Sequence, residues 1–352
     1  MADAGASALE ERTRGNALGE ASLVRRLSAE FLGTLILVAV GTGAATVLAL
    51  GPATRLDELA RGDALQVPTQ GPSAQEVTFN QIFANTLGDI LPVAFAFAIA
   101  LAVLVYALGG VSGGHFNPAV TFALASVRRF RWVEVPLYWI SQIAGGVAGA
   151  FVVAGIYGER GAKLVSSVPL IDPNTGQPAA GTGDITTNIL FGATRIAENV
   201  DIWQAVLAEA LITFILVTAI MAIAVDPRAP KGWSGLIIGL ALAAGILVTA
   251  QATGGSANFA RSLGPFVASL VYDVGNIPWD DLIVYAAGPI IGAVAAAFVY
   301  EGVTGLERVS PSPSPGAATP EPEALLDEVD EPGGGVSESA ATTKTPPPTS
   351  TT

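Results

Sequence analysis

The sequence predicts an all-α membrane protein with six transmembrane helices and two re-entrant half-helices, arranged as an inverted repeat. Apolar runs of about 20 residues, long enough to span the hydrocarbon core, recur along the 352-residue chain. Only 13% of the residues are charged, whereas about 25% is usual in soluble domains. Two Gly-rich stretches, 112–121 and 254–262, each place an Asn before a short apolar run. An Asn there caps a helix, and two caps predict two half-helices.

The composition excludes several classes of function. The chain has no Cys and one His, so we expect no disulfide, no thiolate or multi-His metal site, and no cofactor. The net charge of −13 argues against nucleic acid as a partner. A nucleophile, a base and an orienting residue do not stand out together, so we do not expect an enzyme.

The spans fall into two halves of similar plan, repeat one (27–157) and repeat two (202–304). The expected spans are 27–50, 85–108, 133–157, 202–225, 232–253 and 282–303, and the half-helices run from the two Asn residues to about 127 and 270. Each half holds three spans and one half-helix. Because three is odd, the two halves insert in opposite orientations.

Charges and Pro residues mark the ends of these elements. A cluster of Arg residues at 128–131 closes the first half-helix, and Asp226-Pro227 ends the fourth span. The Pro-containing segments 51–84 and 158–201 are expected to be loops. Most Lys and Arg residues fall on the side of the amino terminus, which predicts that both termini are cytoplasmic.

The two ends of the chain are expected to be disordered and cytoplasmic. Residues 1–24 are polar and do not resemble a cleaved secretory signal. Residues 306–352 are acidic and rich in Pro, Ser and Thr. Residues 25–305 are then the membrane domain.

The Gly-rich stretches are predicted to line a passage. Asn117 and Asn258 can cap a half-helix with the side-chain oxygen and point the amide nitrogen into the passage. Irregular backbone at bilayer depth survives only where it is buried in protein or lines a wet cavity. We therefore expect the residues before each Asn to offer their carbonyls to a permeating molecule. They are Gly113, Gly114, His115, Gly254, Gly255 and Ser256.

Arg261 is the charged residue that we expect at membrane depth beside the second Asn. A buried Arg there is costly and is a functional hypothesis by default. The alternative is a snorkelling interface charge, which is weaker because no other charge lies within ten residues on either side.

These motifs resemble the aquaporin and glycerol-facilitator family, the major intrinsic proteins, over about residues 27–304. The resemblance is carried by Asn117-Pro118-Ala119, Asn258-Phe259-Ala260, Arg261, and the Ala-Glu pairs at Glu30 and Glu209. It implies six tilted helices and two re-entrant half-helices around one pore per subunit. It also implies a homotetramer in the lipid bilayer, so residues 25–305 would be an aquaporin-like channel domain. The Cys-free composition, rich in Ala and Gly, is compatible with a prokaryotic plasma membrane.

The resemblance further implies a selectivity filter of Phe97, Ile246, Gly255 and Arg261. This set is similar to that of archaeal-type aquaporins. Ile246 stands where water-selective members carry His and cannot donate a hydrogen bond, and Gly255 is expected to leave space. The filter should therefore be wide and apolar on one wall. The alternative is that Phe97 and Ile246 are ordinary packing residues.

Phe259 departs from the family pattern, which has Pro at this first helical position. One interpretation is a packing change, with the ring against Pro118. The other is a shifted Asn258 and altered conductance. Tertiary packing commonly overrides local propensity, which favours the first.

Three further polar residues have two interpretations each. Glu30 and Glu209 are either proton relays or carboxylates that accept hydrogen bonds from the re-entrant loops, and buried charges need partners. We favour the loop-fixing role. His115 is likewise expected to fix its loop, with a pH sensor as the alternative.

The predicted function is passive flux of water and small uncharged solutes such as glycerol, with protons and ions excluded. One alternative is a dedicated glycerol or small-solute facilitator, although Trp at position 97 and an aromatic residue at 255 would then be expected. Another is a non-conducting scaffold protein of the same fold, with Phe259 closing the pore.

Overall fold

The computed structural model describes residues 21–60, 74–171, 178–272, 274 and 276–306. Among these, six helices are long and apolar enough to cross a membrane: Leu23–Leu50, Ile90–Ser112, Trp132–Tyr157, Ile202–Val225, Ser234–Thr253 and Trp279–Thr304. The predicted tails 1–24 and 306–352 lie outside the described residues, except for 21–24 and 306.

The helices keep the predicted order of spans and half-helices. They are α1 (Leu23–Ala60), α2 (Ala74–Ser112), α3 (Pro118–Ser126), α4 (Val135–Tyr157), the one-turn α5 (Glu159–Ala162), α6 (Ile202–Ile220), α7 (Ser234–Thr253), α8 (Phe259–Ser269) and α9 (Leu282–Thr304). The half-helices are α3 and α8. A wider helical turn, Met221–Val225, extends α6. The predicted all-α membrane part with two half-helices is confirmed.

The segments expected to be loops contain regular structure. Helix α1 continues past Leu50 to Ala60, and α2 already begins at Ala74, because Ala, Leu and Glu favour helix also outside the hydrocarbon. Beyond α5, strands β1 (Lys163–Ile171) and β2 (Pro178–Asn188) pair antiparallel, with Lys163 opposite Asn188. Their Val, Ile and Thr residues favour strands, so the loop predictions were wrong there.

The main helix pairs repeat between the halves. Helix α1 packs along α4, α6 packs along α9, and α2 packs along α7. Gly145 and Gly149 of α4 lie against the carbonyls of Phe31 and Leu35 in α1, so an added Cβ would overlap them. Gly292 of α9 lies in the same way against α6. Small residues thus let the spans approach closely.

Each half-helix packs against a span of the other repeat. Helix α8 lies on α4, and α3 lies on α9. Gly146 of α4 and Gly264 of α8 make the first contact possible, since a Cβ at Gly146 would overlap the Ala260 carbonyl and one at Gly264 would overlap the Gly146 carbonyl. This exchange brings the amino ends of both half-helices into the centre of the bundle.

Buried carboxylates near the helix ends are paired with Arg. Glu134 lies 2.6 Å from Arg26, and Asp226 lies 2.6 Å from Arg228. The hydrogen bonds from the Arg228 side chain and backbone hold the pKa of the Asp226 carboxyl well below its usual range. Because the pKa is lowered, the ion pair between Asp226 and Arg228 is present at neutral pH and is lost only as the pH falls through that pKa.

Candidate functional site

Both half-helices begin at an Asn that caps them. Asn117 has an extended backbone (φ −155°, ψ 122°), and its Oδ1 accepts a hydrogen bond from the Ala119 backbone at 2.9 Å. Asn258 has nearly the same backbone (φ −154°, ψ 112°), and its Oδ1 accepts from the backbone N–H groups of Ala260 and Arg261 at 3.0 and 3.4 Å. Each side-chain oxygen thus satisfies N–H groups that a helix start leaves unpaired.

The amide nitrogens of the two Asn residues join the half-helices. Asn117 Nδ2 donates to the Ala257 carbonyl at 2.7 Å, and Asn258 Nδ2 donates to the Phe116 carbonyl at 2.8 Å. Each Asn therefore holds the residue that precedes the other Asn. Because an amide has two N–H groups, this reciprocal cross-link uses one of them and leaves the second for the cavity that both residues line. Reasoning from the sequence missed this cross-link.

Glu30 holds the first re-entrant loop through both carboxylate oxygens. Oε1 accepts from Ser112 Oγ at 2.6 Å and from the His115 backbone at 3.0 Å. Oε2 accepts from the Phe116 backbone and from Gln142 Nε2, both at 2.7 Å. Glu30 is fully buried. These contacts favour the loop-fixing interpretation over a proton relay.

Glu209 holds the second loop in the same way. Oε1 accepts from Thr253 Oγ1 at 2.6 Å and from the Ser256 backbone at 3.0 Å, and Oε2 accepts from the Ala257 backbone at 2.8 Å. Pro289, which occupies the place of Gln142 in the second repeat, has no side-chain donor. The two loops are therefore built alike, with one donor fewer in the second.

Hydroxyl groups tie each loop to the first turns of its half-helix. His115 Nδ1 lies 3.0 Å from Thr121 Oγ1, which also accepts from Gln142 Nε2 at 2.9 Å. At the equivalent place in the second repeat, Ser256 Oγ lies 2.6 Å from Ser262 Oγ. These contacts favour the loop-fixing interpretation of His115.

Two buried Tyr residues complete the support of the loops. Tyr138 Oη donates to the Ser112 carbonyl at 2.8 Å, and Tyr285 Oη donates to the Thr253 carbonyl at 2.7 Å. Both carbonyls belong to the last residue of a span before a Gly-rich loop. Neither Tyr was predicted as a site residue, although their equivalent places in the two repeats were a signal for them.

A cavity of about 60 Å³ runs along the half-helices, measured as the space open to the centre of a water molecule. At about 10–15 Å³ per water, it holds roughly four to six waters. Its apolar wall comes from side chains at three- or four-residue spacing, which places them on one face of each helix. They are Phe97, Leu101 and Val105 of α2, Val120 and Leu124 of α3, Leu216 and Ile220 of α6 with Ala224 of the turn that extends it, and Ile238 and Leu242 of α7, and Leu37 of α1 adds to this wall.

The polar part of the wall comes from the two loops and their Asn residues. Of the six residues expected to offer carbonyls, Gly113, Gly114, His115 and Ser256 lie on the described wall. Gly254 and Gly255 are not among the residues that line the cavity, and a role for their carbonyls in the passage stays a prediction. A Cβ on Gly254 would lie 3.1 Å from Thr194, and one on Gly255 would lie 3.2 Å from Thr249 Oγ1. The Cβ positions of both glycines therefore face neighbouring protein.

The predicted constriction residues Phe97 and Arg261 lie together on the wall of the cavity. The Arg261 guanidinium carbon lies 5.0 Å from the centre of the Phe97 ring, within the range of a cation–π contact. Arg261 is only 3% exposed, and its Nη1 donates to the Gly192 carbonyl at 3.2 Å. These contacts fix a cation beside the cavity.

The other two predicted filter residues lie next to each other. Ile246 is buried one turn beyond Leu242 on the same face of α7. The Cβ position of Gly255 is 3.3 Å from the Ile246 Cα. An added Cβ at Gly255 would thus be in tight contact with α7, and the width of the filter beside Gly255 stays a prediction.

Gly192 belongs to a turn that the sequence analysis placed in a loop without a role. Leu190, Phe191 and Gly192 are all buried, and Leu190 and Phe191 have positive φ angles of 50° and 51°. Thr194, just beyond, donates to Ser262 Oγ at 2.8 Å. The turn 190–194 thus enters the bundle and orients Arg261, although no motif in the sequence marks it.

Phe259 lies outside the cavity. Its half-buried ring lines a separate apolar groove of about 220 Å³ between α4 and α9, together with Pro118, Trp139 and Pro289. The described wall of the cavity does not include it. This position favours the interpretation of Phe259 as a packing change beside Pro118.

We expect the Phe259→Pro variant to keep its water flux within about twofold of the parent. Asn258 already has the extended backbone that a following Pro requires, and Pro is preset for the first helical position. The measurement is osmotic shrinkage of proteoliposomes, normalised to the amount of reconstituted protein. A change in flux of tenfold or more would contradict the packing interpretation.

The fold and the site together define a membrane channel. Four of the six spans, α1, α2, α6 and α7, line a cavity, two half-helices from opposite repeats meet beside it, and a buried Arg lies on its wall. Among the described residues, no group of three or more His, Cys, Asp or Glu is placed to hold a metal ion.

The comparisons place this channel in a family. A family model described as "Major intrinsic protein" matches residues 17–300. The chain belongs to the major intrinsic protein family, and it is a multi-pass membrane channel rather than an enzyme. The resemblance carried by the two Asn motifs is thereby confirmed.

The relatives include archaeal proteins. The chain is 37% identical over 283 residues to Aquaporin AqpM of Methanothermobacter marburgensis, covering 80% of this chain and 98% of the relative. It is 35% identical over 280 residues to Probable aquaporin AqpM of Archaeoglobus fulgidus, covering 79% and 96%. The X-ray structure of the aquaglyceroporin from Plasmodium falciparum matches with a TM-score of 0.56 at 22% identity, covering 80% and 97%, and supports the fold.

Proposed function

We propose that the chain conducts water and small uncharged solutes such as glycerol passively across the plasma membrane and excludes protons and ions. The observation that carries the proposal is the cavity of about 60 Å³, which is lined by both half-helix amino ends and by the contacting pair Phe97 and Arg261. The relatives named aquaporin support the same class of solute.

The wall explains how a neutral molecule would pass. Most of it is apolar and offers nothing to replace lost hydration. The loops and the two Asn residues form a polar stripe, in which one amide N–H of Asn117 and one of Asn258 remain for a permeating oxygen. Water and small polyols carry the matching hydroxyl groups, so we expect them to pass in single file.

Two features would raise the barrier for protons and cations. The amino ends of α3 and α8 carry the positive ends of their helix dipoles and meet beside the cavity. Arg261 adds a fixed positive charge at the constriction. Both disfavour a cation in the cavity, while a neutral molecule bears no such cost.

Water and glycerol flux in proteoliposomes test the proposal. We expect vesicles with the chain to shrink in sucrose at least about tenfold faster than empty vesicles, to take up glycerol, and to show no added proton flux with a pH-sensitive dye. If glycerol enters the vesicles faster than the measured water flux can explain, the dedicated facilitator is favoured. Shrinkage no faster than in empty vesicles would favour the non-conducting scaffold.

The assembly and the placement of the termini belong to the same proposal. The family resemblance favours a homotetramer, and the bias of Lys and Arg toward one side favours cytoplasmic termini. The mass of the detergent-solubilised particle tests the first. Protease access to the tails in right-side-out and inverted vesicles tests the second.

A further inference from the structure

The ring of Phe97 rests against a glycine of α1. Gly41 is buried, and a Cβ added to it would overlap the Cε1, Cζ and Cδ1 atoms of the ring. The same ring lies 5.0 Å from the guanidinium carbon of Arg261 and lines the cavity. Because position 41 has no side chain, the Phe97 ring can lie against α1, and this determines how far the ring projects into the cavity.

The same part of α1 also contacts the residue that orients Arg261. A Cβ on Gly192 would overlap the carbonyl of Thr42, the residue after Gly41. The Gly192 carbonyl accepts the hydrogen bond from Arg261 Nη1 at 3.2 Å. Gly41 thus contacts Phe97 directly, and Thr42 contacts the glycine that holds Arg261.

Helix α1 cannot retreat to make room at position 41. It packs closely on α4, where Gly145 and Gly149 lie against the carbonyls of α1. A side chain at Gly41 would therefore displace the Phe97 ring rather than α1. Since Phe97 lines the cavity, the displacement would narrow it.

We propose that Gly41 is a specificity-determining position that sets the size limit of the channel through Phe97. It is a positioning residue, because the solute meets Phe97 and not Gly41. This inference rests on the proposed function. Helix propensity does not explain the glycine, since Gly is less favourable than Ala in a helix interior.

The test is the Gly41→Ala variant in proteoliposomes, with uptake measured for formamide, urea and glycerol alongside water. We expect uptake of the largest solute that the parent conducts to fall at least about tenfold. Water flux should stay within about threefold of the parent. If the parent conducts only water, the water flux of the Gly41→Ala variant should instead be about tenfold lower than that of the parent.

Gly43→Ala is the matched control. Gly43 lies on the same helix, and a Cβ there would meet only Val153 Cγ2, at an ordinary 3.7 Å. We expect its fluxes to equal those of the parent. The Gly41→Ala/Phe97→Leu double variant tests the route, because a smaller side chain at 97 leaves room for the new methyl group. Uptake of the large solute should return in it.

The outcomes separate this inference from the proposed function. An unchanged ratio of solute to water flux in Gly41→Ala would overturn the inference and leave the proposed function standing. So would a loss in Gly41→Ala that the double variant does not restore. A parent chain that conducts neither water nor solutes would overturn the proposed function and this inference with it.

Discussion

The Glu30→Gln variant is expected to be strongly destabilised as a folded channel. Glu30 is fully buried, and its two oxygens accept one backbone N–H each, from His115 and Phe116. Gln has one oxygen and one NH₂ group. In either orientation of the amide, its NH₂ group therefore faces a backbone N–H donor, and rotating the amide by half a turn does not remove this clash between donors.

The expected loss is about 3–5 kcal/mol, the usual cost of breaking a buried, charge-assisted contact by removing one partner. In a domain of this size, that corresponds to an unfolding temperature lowered by roughly 10 °C. Thermal unfolding in detergent measures this change in unfolding temperature. Water flux should fall as the fraction of folded channel falls. Glu209→Gln should have an effect of the same sign, because Glu209 accepts the Ser256 and Ala257 backbone N–H groups in the same manner.

Glu159→Gln is the control for this substitution. Its side chain is 71% exposed and contacts Lys163 at 3.5 Å, and such surface pairs contribute little to stability. We expect no measurable change in it. A Glu30→Gln variant that unfolds at the temperature of the parent and conducts normally would refute the loop-fixing role of this carboxylate.

The Arg261→Val variant is expected to conduct protons and small cations and to pass glycerol faster. Arg261 is the fixed charge at the constriction, and its removal leaves both more room and less repulsion. Charges about 4 Å apart interact by up to about 4 kcal/mol at an effective dielectric constant of 20. Even a third of that value corresponds to about a tenfold rise in cation flux. A pH-sensitive dye in the vesicle lumen measures the proton flux.

Arg261→Lys serves as the matched variant. It keeps the charge but lacks the planar guanidinium that lies near the Phe97 ring. We expect it to exclude protons as the parent does. If the Arg261→Val variant conducted water but showed no more proton or cation flux than the parent, Arg261 would have no part in ion exclusion.

Much of the fold follows from local patterns in the sequence. The spans are apolar runs of the length that a bilayer requires, and Gly145 and Gly149 have the spacing of a close helix contact. Asn117 and Asn258 cap their helices through hydrogen bonds to residues two and three positions away. Such contacts depend on neighbours in the chain, so the sequence alone indicates them.

The parts that sequence reasoning missed depend on contacts between distant segments. The Asn117 amide meets the Ala257 carbonyl, and Arg261 meets the Gly192 carbonyl. Backbone carbonyls carry no mark in a sequence, because every residue has one. Gly41 likewise has no motif, and only the position of Phe97 in the folded chain gives it a role.

The central claim is that water passes through the cavity beside α3 and not through the neighbouring groove. The chain contains no Cys, so single Cys variants can be blocked cleanly with mercuric chloride, which binds thiolates. Val120 lines the cavity and the adjacent Ala119 lines the groove. The decisive measurement is proteoliposome water flux with and without the reagent in Val120→Cys and Ala119→Cys. We expect flux through Val120→Cys to fall toward that of empty vesicles and flux through Ala119→Cys to persist. Full flux through a Val120→Cys channel whose thiol is shown by mass to carry mercury would contradict the account.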